Sequence, residues 1–129
     1  RDREPDPFDQ AVLMWQLVYS VVDQQRPHRS DWSFVTYEDL AADPLTGFES
    51  LYRTLGLTWS GAAGAAIAAD TSAENVSDRP VTEAHNTRRN SAEAARTWLG
   101  RLTLEEVGRI RAGVGDLADR FYDPSTWPT

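Results

Sequence analysis

The stretch FVTYEDLAADP, Phe34 to Pro44, constrains the fold most, because it opens like a strand and closes like a helix entrance in a chain whose other patterned segments read as helix. WSFVTYE, Trp32 to Glu38, concentrates β-branched and aromatic residues, which suit a pleated, half-buried surface. A lone strand leaves donors and acceptors unmatched on both edges, which is costly when buried. The strand therefore predicts a sheet supplied from outside this sequence and makes the 129 residues the rear portion of an α/β domain. The alternative is a helical protein in which these residues form a short extended connector.

Around that stretch the helix signals are local and chemical. Phe8, Val12, Trp15, Tyr19 and Val22 recur with the spacing of one buried stripe and predict a helix over 8–24, closed by the polar connector containing Pro27. Asp43 and Pro44 suit an N-cap and first helical position, Phe48, Leu51, Tyr52 and Leu55 form an apolar face, and Gly56 suits a left-handed helix end, which predicts a helix over 44–55. Ser60 can cap a short helix through GAAGAAIAAD. Residues 71–90 lack a period and predict a long irregular loop, followed by a short helix after Ser91. Thr103 and Glu106 form a capping box with Leu102 and Val107 as its hydrophobic staple. Val107, Ile110, Val114, Leu117 and Phe121 continue the stripe of a last helix over 104–121.

Charge and composition narrow the partners. A formal net charge of −7 argues against nonspecific binding to nucleic acid or an anionic membrane, which is driven by clustered cations, so an anionic ligand must meet a local basic patch. All thirteen basic residues are Arg. With no Cys, disulfides and thiolate chemistry are excluded and a reducing compartment is permitted; the expected location is the cytoplasm. No apolar run approaches the roughly 18 residues of a membrane span. The opening RDREPDP has neither an initiator Met nor a charged-then-apolar leader pattern, as in a processed, trimmed or partial chain.

Three constellations are candidates for chemistry. In NTRRNS, Arg88 and Arg89 stand at the end of the long loop before a helix start; guanidinium forks match phosphate or sulfate oxygens, although two loop arginines also make an ordinary solvated surface. In YED, Tyr37 lies at the carboxyl end of the predicted strand, where open α/β sheets place ligands, and can stack on a base or simply pack, while Glu38 and Asp39 read as caps of the next turn. His28 and His85 lack metal-ligand spacing, so no zinc site is indicated, although His85 lies close in sequence to the Arg pair.

In order, WSFVTYEDLAADPLTGFESLYRTLGLTWS and NTRRNSAEAARTWLGRLTLEEVGRIRAGVGDLADRFY resemble the C-terminal part of a sulfotransferase that uses 3′-phosphoadenosine 5′-phosphosulfate (PAPS), closest to bacterial members. The likeness lies in the strand, the Y/H-E-D-L turn, the D-P helix start, the L-G-L helix end, the basic loop, the Trp-bearing helix, L-T-x-E-E and the terminal F-Y. It covers nearly all of residues 8–127. It implies an α/β, P-loop nucleotide-kinase-like fold, of which residues 1–129 would be the mostly helical C-terminal portion of one domain. The strand bearing Tyr37 would join strands that precede Arg1. The family's phosphosulfate-binding loop, the Arg and Ser of its upstream 3′-phosphate site and its usual catalytic His have no counterpart here.

Carried over by position, Tyr37 resembles the strand-end Tyr near the adenine, Thr71 a Thr that contacts the adenine, and Arg88 and Arg89 the basic loop over the 3′-phosphate. That loop is usually R-K-G; here it is R-R-N with a longer spacing to Trp98, so either Arg can take the phosphate. The implied activity is sulfuryl transfer from PAPS to a hydroxyl or amine of a small-molecule or carbohydrate acceptor. The competing reading is a non-enzymatic helical interaction module in which Trp15, Trp32, Trp59, Trp98 and Trp127 serve core or partner contacts.

Overall fold

The computed structural model describes residues 6–78 and 87–128, which are helical apart from turns and connectors. They group into two compact units: the chain up to Trp32 together with the segment from Leu102 onward, and Ser33 to Arg101.

In the first unit, the Asp6 carboxylate accepts the Phe8 amide at 2.8 Å and Pro7 takes the first turn, where its missing N–H costs nothing, starting α1 (Pro7–Gln25). The helix gives way at Pro27 to a tight turn, Arg26–His28. At the other end of the chain Thr103 caps α6 (Leu104–Ala118): its hydroxyl accepts the Glu106 amide at 3.2 Å, while its own amide donates to Glu106 Oε2 at 2.8 Å. α1 lies along α6, with Val107, Val114 and Ala118 buried. Between the helices, Gln16 Nε2 donates to the Gly113 carbonyl at 2.7 Å and the Tyr19 and Tyr122 hydroxyls meet at 2.9 Å. Tyr19 also stacks on Trp15 and meets Phe121 edge-on, at ring separations of 4.0 and 4.9 Å.

The last helix does not run unbroken to 121. Gly115 has φ 52° and ψ −144°, a conformation essentially reserved for glycine, and bends the chain there. Arg111 donates to the Gly115 carbonyl at 3.2 Å across the bend and pairs with Asp119 beyond it.

Ionic contacts finish the N-terminal end of this unit. Arg109 pairs with Asp6 at 3.0 Å and with Asp9 at 3.3 Å. Its guanidinium and the Phe8 amide hold the Asp6 carboxyl below the usual carboxylate range, and the Thr103 amide and hydroxyl do the same for Glu106. Folded-state values below the unfolded ones contribute stability above the unfolded pKa that is lost as pH falls through the folded pKa. The midpoint of thermal unfolding followed by circular dichroism is therefore expected to fall as pH drops below about 4, the ordinary carboxylate region. Asp6→Asn and Glu106→Gln should each flatten that dependence; an unchanged acid slope in both variants would refute the assignment.

Among the described residues the second unit carries four α-helices and a 3-10 turn, Thr97–Gly100. Asp43 accepts the Thr46 amide at 3.3 Å to start α3 (Pro44–Thr54), which closes before Gly56 at φ 68°. Ser60 accepts the Ala63 amide at 3.1 Å to start α4 (Gly61–Thr71). Tyr52 meets Trp59 edge-on at 5.2 Å, and a Cβ placed on Gly64 would lie 3.3 Å from the Trp59 ring, so a small residue is needed there. α3 packs on α4 and on the preceding α2 (Tyr37–Ala42), which also meets α5 (Ser91–Ala94).

The expected strand does not form, and with it the α/β reading fails for the described residues, none of which is in a strand. Trp32–Thr36 is a connector without regular structure, and Tyr37 and Glu38 open α2 instead of ending a strand. The physical reason is local: Thr36 Oγ1 accepts the Asp39 amide at 3.2 Å, and Glu38 and Asp39 place negative charge in the first helical turn. The cap secures a helix from residues at hand, whereas a ladder needs a second strand. The connector alternative is the one observed.

α1 presents two different faces. Phe8, Val12, Trp15, Tyr19 and Val22 are partly covered, as their spacing predicts, while Leu13, Met14, Leu17, Val18 and Val21 are each more than half exposed and line the opposite side. Among the described residues no helix is long and apolar enough to cross a membrane.

Candidate functional site

Tyr37, Thr71, Arg88 and Arg89 all belong to the second unit. Of the loop expected over 71–90, residues 79–86 lie outside those described; the residues just after them lie against the end of α4, held by a set of short-range contacts. The Arg89 amide donates to the Asp70 carbonyl at 2.8 Å and the Asn90 amide to the Val76 carbonyl at 3.1 Å. Arg88 Nε lies 3.4 Å from Asp70 Oδ1, with both side chains largely in water.

Asn90 and Ser91 hold this arrangement from below. Asn90, buried, accepts the Glu93 amide at 3.2 Å, which caps α5, and donates from Nδ2 to the Ala73 carbonyl at 3.3 Å. Ser91 Oγ donates to the Ala41 carbonyl at 2.9 Å and also lies 3.5 Å from the Thr71 carbonyl. A single hydroxyl thus ties the ends of α2 and α4 to the start of α5. Both polar atoms of the buried Asn90 side chain are thus engaged, which burial requires.

The Arg segment thus meets α4 at Asp70, the residue before Thr71. The Thr71 hydroxyl donates to the Ile67 carbonyl at 2.7 Å, so toward a ligand it is left as an acceptor. Two guanidiniums supply donors for an anion, and the Thr71 hydroxyl oxygen suits an exocyclic amino group. α5 is one turn long, and helix-entrance amides add little to that field.

No family model, curated protein or solved structure matches this chain. The site consequently stands on its own geometry.

Tyr37 is joined to the cluster less directly. Its ring is 60% exposed at the first turn of α2, whereas Ser91 grips the other end of that helix at Ala41, about 6 Å farther along the axis at the rise of an α-helix. Glu38 and Asp39 lie in the first turn of α2, whose cap is the Thr36 hydroxyl and not a carboxylate. His28 is exposed in the turn after α1. His85 lies outside the described residues. Among those described, no group of three or more His, Asp or Glu side chains could hold a metal ion.

Two participants were not singled out by the sequence. Asp70 and Asn90 fix the Arg segment, and only Asn90 carries a local signal, an Asn three residues before Glu93 at a helix start. Asp70 has none: its partner lies 18 positions ahead, and an Asp near a helix end usually reads as solvated surface.

Proposed function

We propose that the second unit contributes the adenine wall and 3′-phosphate clamp of a PAPS-dependent sulfotransferase. In that role Arg88 and Arg89 take the 3′-phosphate, Thr71 accepts from the adenine amino group and Tyr37 stacks on or near the base. The observation that supports the reading is the docking of the Arg pair on the last turn of α4, where the Arg89 amide reaches the carbonyl of Asp70, the residue before Thr71. Its second support is the ordered set of motifs from Trp32 to Tyr122. PAPS, when bound, supplies the sulfuryl group; the residues named here hold and orient its nucleotide. The acceptor is a hydroxyl or amine of a small molecule or carbohydrate, and the proposed setting is the cytoplasm.

Calorimetric titration with adenosine 3′,5′-bisphosphate tests the clamp. Arg88→Ala and Arg89→Ala should each weaken binding by about 1.5 to 3 kcal/mol if the Arg makes a charge-assisted contact. Unaltered affinity in both variants would end the assignment. The second reading, a helical interaction module without nucleotide chemistry, draws on the exposed apolar side of α1. Under it the bisphosphate changes no property of the chain.

A further inference from the structure

We infer that Asp70 is a built-in competitor for the anion at Arg88, an inference that rests on the nucleotide-clamp reading above. Asp70 is the penultimate residue of α4, where the negative end of the helix dipole disfavours another negative charge. Arg88 relieves this from 3.4 Å, so the cation offered to a phosphate is shared with a carboxylate from within the fold. Two negative groups compete for one guanidinium, and a phosphate dianion prevails only after displacing or repelling Asp70.

Asp70 makes two contacts of different kinds with the Arg segment. The backbone contact, Arg89 amide to Asp70 carbonyl at 2.8 Å, survives any change of side chain. The side-chain contact is a solvent-exposed ion pair, 61% and 51% exposed on its two partners, of the class that contributes little to stability. Asp70→Asn therefore removes the competing charge while leaving the loop tethered and the framework of Asn90 and Ser91 intact.

The test is titration of the chain with adenosine 3′,5′-bisphosphate at low salt, for the parent, Asp70→Asn and Arg88→Ala. Adenosine 5′-monophosphate, which lacks the 3′-phosphate, is the control ligand. Asp70→Asn should bind the bisphosphate about two- to fivefold more tightly, the ratio that corresponds to losing a surface ion pair, and should gain less for the monophosphate. Unchanged circular dichroism and melting should accompany the gain. If the parent binds and Arg88→Ala weakens it but Asp70→Asn leaves affinity unchanged, the competition is refuted and the clamp stands. Weaker binding by Asp70→Asn would instead make the carboxylate a positioning partner of Arg88, overturning the inference. If the parent does not bind the bisphosphate, the clamp reading itself falls, and the inference with it.

Discussion

Val114→Asp is expected to unfold the first unit, while Leu17→Asp, also a branched aliphatic residue replaced by an acid, is expected to leave it standing. Val114 is 5% exposed on α6, where Val107 and Ala118 flank it along the same buried line. A carboxylate there loses its water, and removing water from a charge without a matched partner costs about 3 to 5 kcal/mol. That is a large share of the 5 to 15 kcal/mol that typical domains possess. Leu17 is 59% exposed on the outer side of α1, so its replacement by Asp deprives water of nothing and should stay within about 0.5 kcal/mol. Urea titration followed by circular dichroism separates the two. Equal shifts in midpoint would mean that α6 does not bury Val114 and that the pairing of α1 with α6 is misassigned.

That contrast marks what the sequence could and could not disclose. The spacing of Phe8, Val12, Trp15, Tyr19 and Val22 identified the covered side of α1, because a helix can bury only one stripe and the period reveals it. It was silent on Leu13, Leu17 and Val21, whose own period is equally helical. Helix boundaries were legible at three short-range caps: Asp43 to Thr46, Ser60 to Ala63 and Thr103 to Glu106 each span three residues. The same logic was overlooked at Thr36, where the Asp39 amide is again three positions on, because the β-branched and aromatic content of WSFVTYE drew the reading toward a strand. Strand propensity expresses packing against cross-strand neighbours, and without them it yields to a cap formed within four residues.

The candidate site divides in the same way. The adjacent arginines were visible as charge, and a short helix was expected after Ser91, although its cap, Asn90, was not singled out. Their partner Asp70, and the bond from Ser91 to the Ala41 carbonyl fifty positions away, depend on how α2, α4 and α5 meet. No local pattern encodes a contact at that separation. Gly115 was missed for a related reason: a glycine within a helical stripe signals weakened helix, and only its φ of 52° shows that the backbone requires it.

The close approach of α1 and α6 at Gly113 offers the second large effect. A Cβ placed on Gly113 would lie 2.7 Å from Val12 Cγ1 and 3.1 Å from Val12 Cγ2, closer than real Cβ contacts allow, so α1 and α6 meet there only because residue 113 has no side chain. Gly113→Val would drive two further methyl groups into the same space. Helix propensity pulls the other way, since glycine is about 1 kcal/mol worse than alanine in a helix interior and valine recovers part of that. Overpacking of a close contact costs about 1 to 3 kcal/mol, and the Gln16 side chain that donates to the Gly113 carbonyl at 2.7 Å would be displaced as well. The clash should therefore prevail, with Gly113→Val destabilising the unit by about 2 to 3 kcal/mol. Val12→Ala removes both offending methyls at the cost of a partly buried contact, so the double variant should recover at least about 1 kcal/mol relative to the sum of the two single changes. Additivity within about 0.5 kcal/mol in that cycle would show that the two residues do not touch.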